Sequence, residues 1–450
     1  MKRTLFRRLT AALLCLAMVA TITACGCAHQ TEALTVRYLN FKPEVAQQYE
    51  ELARIYEEKT GVKVIVQTAA NNTYEQTLAT KMATAEAPTL FQINGPRGYG
   101  AWKDYCADLS GTELYKHLTD KGLAITDGAK VVGIPYVVEG YGILYNKAIT
   151  DKYLALPDRA TTVTSMDEVN TYAELKAVVE DMQKHKAALG IDGVFASTSM
   201  KTGEDWRWQT HLLNIPLHYE WQAGKVNLND PTVTAEIGFT HSDKYRNIYD
   251  LYLNNSVTDR KLIGSKTVSD SMAEFALEQC AMVQNGNWAW SQIKDVSGNK
   301  VKAENLRYLP IYIGVEGEET QGLAIGTENF YAINKQASDA EQKAAADFIW
   351  WLYSSAEGKK YVTEKLGFIA PFDTFTAEDI PDDPLAREVN RWMSNREVTA
   401  VPWNFTLFPS SRFKEDFGAS LLKYAQGTKD WEDVVRDMRE GWKKEASSIG

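Results

Sequence analysis

LTVRYLNFKPEVAQQYEELARIYEEKTGVKVIVQT, residues 34–68, decides the fold class of this chain. LTVRYLN (34–40) reads as a strand. In the stretch that follows, Val45, Tyr49, Leu52, Ala53 and Tyr56 share one helical face, and Gly61 supplies the stop. VKVIVQT (62–68) is β-branched and alternating, the pattern of a second strand. YEQTLATKM returns to a helical period, and PTLFQIN (88–94) is strand-like again. Alternating strands and helices with short connections predict an α/β fold built on a parallel sheet. Ligands collect beyond the carboxyl ends of such strands, here Asn40-Phe41-Lys42 and Asn94-Gly95-Pro96-Arg97.

Upstream of this unit, Lys2, Arg3, Arg7 and Arg8 precede LTAALLCLAMVATI, an apolar run of 14 residues. That length suits the core of a secretory signal and falls short of the roughly 20 residues that span a membrane. The run ends in ITAC (22–25), which resembles the lipobox of bacterial lipoproteins, whose cysteine is acylated. A signal peptide over 1–24, lipid on Cys25 and a tether over 25–33 are therefore expected. Losing four basic residues and no acidic one takes the net charge from −10 to −14. An acidic, lipid-tethered chain is a poor partner for nucleic acid. Cys27, Cys106 and Cys280 remain at wide spacing, with neither a disulfide framework nor a C-x-x-C zinc pattern. With six scattered histidines, neither a metal nor a cofactor is expected.

Further along, TYAELKAVVEDMQKHKAALG is helical, and CAMVQNGNWAW reads as a strand with Trp288 and Trp290 on one face. Ser338 with Glu341, and Ser354 with Glu357, form the pattern of two capping boxes. Three aromatic clusters stand beside polar groups. EDWRW sets Trp206 and Trp208 among Glu204, Asp205 and Arg207; NGNWAW carries Trp288; VPWNFTLF carries Trp403 and Phe405. Sugars present flat C–H faces and rims of hydroxyls, so their sites join aromatic platforms to carboxylates, amides and arginines. A carboxylate also interrupts the apolar segment IPYVVEGYGILYNK (134–147), where Glu139 lies between Tyr136 and Tyr141.

IPYVVEGYGILYNK and NGNWAWSQI resemble segments of maltose-binding proteins. More broadly, the chain resembles the family 1 extracellular solute-binding proteins of sugar ABC transporters. The likeness follows element order through KTGVKV, PTLFQINGPR, YNK, NGNWAW and IGTENFYAINK. It implies a two-lobed periplasmic-binding-protein-like fold of type II, with three hinge crossovers near 138–142, 323–329 and 367–372. Lobe one would comprise 34–138 and 326–370, and lobe two 142–322 and 372–450. The resemblance puts Glu139 on the first hinge as a ligand hydrogen-bonder, with Tyr141 nearby. It places Trp288 as a stacking platform, Glu204 and Trp206 as an acidic-aromatic pair facing it, and Trp403 as a further ring. Asn40, Lys42 and Glu44, Asn94 and Arg97, and Asn329 of the IGTEN return complete the implied ligand-binding set.

The implied function is capture of a sugar or oligosaccharide and its delivery to ABC permease subunits in the membrane. The protein would be a monomer without catalytic activity, held outside the cytoplasm by the lipid on Cys25. NFKPE departs from the acidic-lysine turn of the maltose binders, which argues against maltose itself. Two other readings stay open: a binding protein for a peptide or polyamine, since tryptophan with acids also suits cations, and a secreted glycosidase using Glu139 and Glu204.

Overall fold

The computed structural model describes residues 34–70, 73–226, 234–376 and 378–447. The expected signal segment and tether, with Cys25 and Cys27, lie outside the described residues. The strands are β1 (Thr35–Asn40), β2 (Lys63–Thr68), β3 (Leu90–Asn94), β4 (Ile125–Asp127), β5 (Lys130–Pro135) and β6 (Glu139–Asn146). They continue with β7 (Gly193–Phe195), β8 (Cys280–Gly286), β9 (Leu306–Leu309), β10 (Gln321–Gly326), β11 (Asn329–Ile333) and β12 (Thr399–Pro402).

They form two sheets. The first has the order β2-β1-β3-β11-β5-β4, and the second β12-β10-β6-β8-β7, with β9 added along β6. β1 runs parallel to β2 and β3, as the alternation over 34–94 predicts. β11 enters antiparallel between β3 and β5, so the sheet is mixed rather than wholly parallel. The helix Ala46–Thr60 buries Tyr49, Leu52, Ala53 and Tyr56 and ends at Gly61, whose φ of 72° is the left-handed cap a glycine takes without strain. That buried face packs with Phe348, Ile349 and Leu352 of the helix Asp339–Ser354. Leu78, Met82 and Trp102 cover the sheet's other side. The second sheet has its own cores, one around Leu144, Phe275 and Val283 and one around Ile143, Trp208 and Trp442.

The molecule is thus an α/β protein of two lobes. The chain passes between the sheets from β5 to β6, from β10 to β11, and again between Leu366, which ends a helical turn on lobe one, and the helix Pro384–Ser394, whose Leu385 and Val389 pack in lobe two. The three passages lie side by side: Val138 bridges Ile369, and Glu139 is paired with Gly326.

Two local expectations need correction. The strand preceding Trp288 stops at Gly286, and Ala289–Lys294 is helical, so Trp288 and Trp290 do not share a strand face. Trp288 packs toward one core and Trp290 toward the other. The N-cap of the helix Ala356–Tyr361 is Ser355, which accepts from the Gly358 amide, because Ser354 still belongs to the preceding helix. The Ser338–Glu341 capping box forms.

Candidate ligand-binding cleft

The site is built where the crossing strands meet the carboxyl ends of lobe one. Asn40, fully buried at the end of β1, donates through Nδ2 to the Lys42 carbonyl (2.8 Å) and to Thr68 Oγ1 (3.1 Å). Its Oδ1 accepts from the Lys42 amide at 3.1 Å. These bonds shape the turn and consume the amide of Asn40. They also deliver Lys42 across to the second sheet, where its Nζ donates to Glu139 Oε1 at 2.7 Å and lies 3.5 Å from Glu44. Burial pulls the Lys42 ammonium down, but the charges of Glu139 and Glu44 outweigh it, so lysine stays firmly protonated. Burial raises the Glu139 carboxyl, with Lys42 acting against it.

Glu139 opens β6 opposite Gly326 of β10. A side chain at Gly326 would put its Cβ 2.6 Å from Trp403 Cγ, so this glycine makes room for the indole. Gly286 does the same for Trp288, whose ring occupies the space a Cβ there would need. Asn287 fixes the turn that carries Trp288: its Oδ1 accepts from the Gly140 amide at 2.9 Å, and its own amide donates to the Gly140 carbonyl at 3.0 Å. The Trp288 ring lies 5.9 Å from Trp206 and 6.1 Å from Trp403, the latter at 80° between planes. Tyr141 is buried beneath this cluster, stacked at 4.3 Å on His211 and donating to the His211 carbonyl at 3.0 Å.

Of the other residues singled out in the sequence, Arg97 bridges the lobes, its Nε donating to the Leu407 carbonyl at 2.7 Å. Asn329 lies opposite Asn94 in the β11–β3 register, fully buried, with neither amide atom hydrogen-bonded. Glu204 stands apart in role: its Oε2 accepts from the Val268 amide at 3.1 Å and so satisfies the start of the helix Val268–Ala276.

Three neighbours were not expected at the site, although His211 reads from the sequence as a packing residue. His211 meets Trp206, Trp288 and Phe405 at ring distances of 4.7, 5.4 and 5.3 Å, and burial holds it neutral. The Glu328 carboxyl is pushed up to about 7 by burial, opposed by Lys42 and reinforced by Glu139. Burial lowers the Lys414 ammonium against the attraction of Glu328 and Glu75. Glu328 lies in IGTENFYAINK, where a carboxylate beside Asn329 is its sequence signal. Lys414 belongs to an ordinary amphipathic helix, Ser411–Ala425, and carries no local signal.

On the segments that carry or adjoin these rings, buried polar atoms without a hydrogen-bond partner among the described residues are Trp288 Nε1, Trp403 Nε1, Thr327 Oγ1, Gln292 Oε1 and both amide atoms of Asn329. Buried groups of this kind are costly unless something pairs with them. The set mixes donors and acceptors, as a rim of hydroxyls requires. Among the described residues, no group of three or more His, Cys, Asp or Glu is placed to hold a metal ion.

Residues 51–388 match the family described as bacterial extracellular solute-binding protein. This chain belongs to that family. No curated protein matches the solute-binding protein by sequence at a significant level. Solved structures similar to it include a chitin oligosaccharide binding protein, with a TM-score of 0.67 at 19% identity over 92% of this chain and 99% of that one. The solute-binding protein RafE in complex with raffinose gives 0.67 and 19% over 92% and 100% of the two chains. A sugar transporter from Bacillus licheniformis in complex with stachyose gives 0.67 and 17% over 91% and 100%. These likenesses establish that the two lobes have the architecture of type II periplasmic-binding proteins. Among the described residues of the solute-binding protein, no helix is long and apolar enough to cross a membrane.

Proposed function

We propose that this solute-binding protein captures a sugar or oligosaccharide between its lobes and delivers it to ABC permease subunits. The observation that carries the reading is the meeting of Trp206 and Trp403 at Trp288, with unpaired buried donors and acceptors on the segments that carry or adjoin the rings. Indole faces suit the C–H faces of pyranose rings, and Asn329, Thr327 and the indole N–H groups suit hydroxyls. The sugars in the raffinose and stachyose complexes of similar structures support the same ligand class.

The protein acts by closure and not by catalysis. Asn94, Arg97 and Asn329 belong to one lobe and Trp206, Trp288 and Trp403 to the other, so only the closed arrangement engages both sets and ligand shifts the population toward it. Glu139 is engaged by Lys42 and Glu204 by the Val268 amide, which supports a binding role over paired acid–base work. Lobe limits of 34–138 with 326–370, and 142–322 with 372–450, are part of this reading; the sheet to which each strand belongs supports them, while Phe372 and Phe375 pack with lobe one. The monomer is tethered outside the cytoplasm by lipid on Cys25, which keeps its closed form within reach of the permease.

A thermal-shift screen of mono- and oligosaccharides, with polyamines and short peptides as the competing class, tests the proposal. A ligand that binds only the folded protein raises the midpoint by mass action. Stabilisation by an oligosaccharide is expected, and stabilisation by polyamines or peptides alone would replace the sugar reading.

A further inference from the structure

Arg207 is 2% exposed, yet among the described residues no carboxylate is in contact with its guanidinium. Nη2 donates to Asn285 Oδ1 at 2.9 Å, while Nε and Nη1 have no partner. Glu204, the carboxylate whose charge reaches it, has an oxygen on the Val268 amide and makes no hydrogen bond to the guanidinium. Glu274, on the helix Val268–Ala276, gives its oxygens to the Ser197 amide and hydroxyl and to Lys266. One face of the guanidinium lies 4.1 Å from the Trp206 ring.

Beside Arg207 is an internal cavity of about 10 Å³, whose lining includes Trp208, Tyr252, Ser271 and Gln284 and no acidic residue. That volume suits one species of about the size of a water molecule. Two more buried donors from the lining, Trp208 Nε1 and Tyr252 Oη, also lack partners among the described residues. Gln284 donates Nε2 to the Arg207 carbonyl at 2.8 Å and contributes one unpaired acceptor, Oε1. The Ser271 hydroxyl is committed to the Ser197 carbonyl at 2.7 Å.

The surplus here is of donors and of positive charge. Burial pushes the Arg207 guanidinium down to about 9, which still leaves it charged at neutral pH. A buried charge without a partner is strongly destabilising. A water molecule would accept from the donors but supply no charge. We propose that this cavity is a binding site for one small monovalent anion, chloride being the physiological species, held by Arg207 with Trp208 and Tyr252. The anion would fix the guanidinium beneath Trp206 and so pin the indole from behind.

Long-wavelength anomalous diffraction from crystals grown with chloride as the only halide is the direct test. A chlorine peak in the cavity is expected, and ordinary water density with no anomalous signal would overturn the assignment. In solution, the thermal midpoint should be higher in sodium chloride than in sodium gluconate of equal ionic strength, by about 1–3 °C. The difference should vanish in Arg207→Met. Equal midpoints in the two salts, or the same difference in the variant, would also overturn it. If Arg207→Met does not fold, the diffraction result on the unaltered protein decides alone.

Discussion

Lys42 Nζ and Glu139 Oε1 stand 2.7 Å apart with side chains only 5% and 4% exposed, tying the turn after β1 to the first residue of β6. A surface pair contributes little, but removing one partner of a buried pair strands the other and typically costs about 3–5 kcal/mol. Glu139→Gln keeps the shape while leaving Lys42 with Glu44 at 3.5 Å as its contacting carboxylate and Glu328 as a further acidic neighbour. A clear fall in thermal midpoint is expected, with much of it recovered in the double variant Lys42→Met, Glu139→Gln. Additive losses in the double-mutant cycle would mean that the two groups act independently.

Trp288 separates binding from packing. It leans on Trp206 and Trp403 and covers Gly286, but it is not fully buried. Trp288→Ala should weaken the sugar found by screening by about 30-fold or more, as loss of an aromatic hot spot commonly costs about 2 kcal/mol or greater. Calorimetry and melting of the same variant check this. Unchanged affinity with a midpoint lowered by core damage would remove Trp288 from the site.

What could be read from the sequence follows the range of the forces involved. The helix over 46–60 and the strands around it depend on local periodicity and a glycine stop, and they form where the pattern puts them. Trp206, Trp288 and Trp403 are visible as aromatic residues among polar ones, but their convergence is tertiary. It needs Gly286 and Gly326 as bare floors and Asn287 as a brace, and no local pattern announces those uses. The Lys42–Glu139 pair spans 97 residues and could not be inferred from spacing. His211 is legible as a packing residue, and its place among the rings comes from a π-helical turn over Arg207–Leu212 that periodicity does not reveal.

Glu328 is expected to make closure sensitive to pH. Its carboxyl is raised to about 7 from an ordinary value of 4.5, burial being the leading cause, with Lys42, Glu139, Lys414 and Glu44 as the charged neighbours. If burial there is produced by the lobes coming together, closing takes up a proton between those two values. The favourable contribution is then complete below the ordinary value and lost as pH rises through about 7. Affinity for the sugar should fall as pH rises from 4.5 to about 7 and level off above it, and Glu328→Gln should flatten that profile. An unchanged slope in the variant would assign the titration to another group.

Gly95 tests closure itself. It has a φ of +63°, and a Cβ there would sit 2.6 Å from Thr406 Cβ on the opposite lobe. Gly95→Ala therefore carries two penalties of different origin. Left-handed backbone costs a non-glycine residue about 1–2 kcal/mol wherever the lobes are. The clash with Thr406 exists only when they meet, next to the Arg97–Leu407 hydrogen bond. Gly95→Ala should accordingly lower both the melting midpoint and the affinity for sugar. Adding Thr406→Gly should restore part of the affinity while leaving the backbone strain of the first substitution in place. Solution scattering gives the shape: saturating sugar should reduce the radius of gyration of the unaltered protein, and less so for Gly95→Ala alone. A radius that sugar leaves unchanged in the unaltered protein would show that binding proceeds without closure, whatever the affinities of the variants.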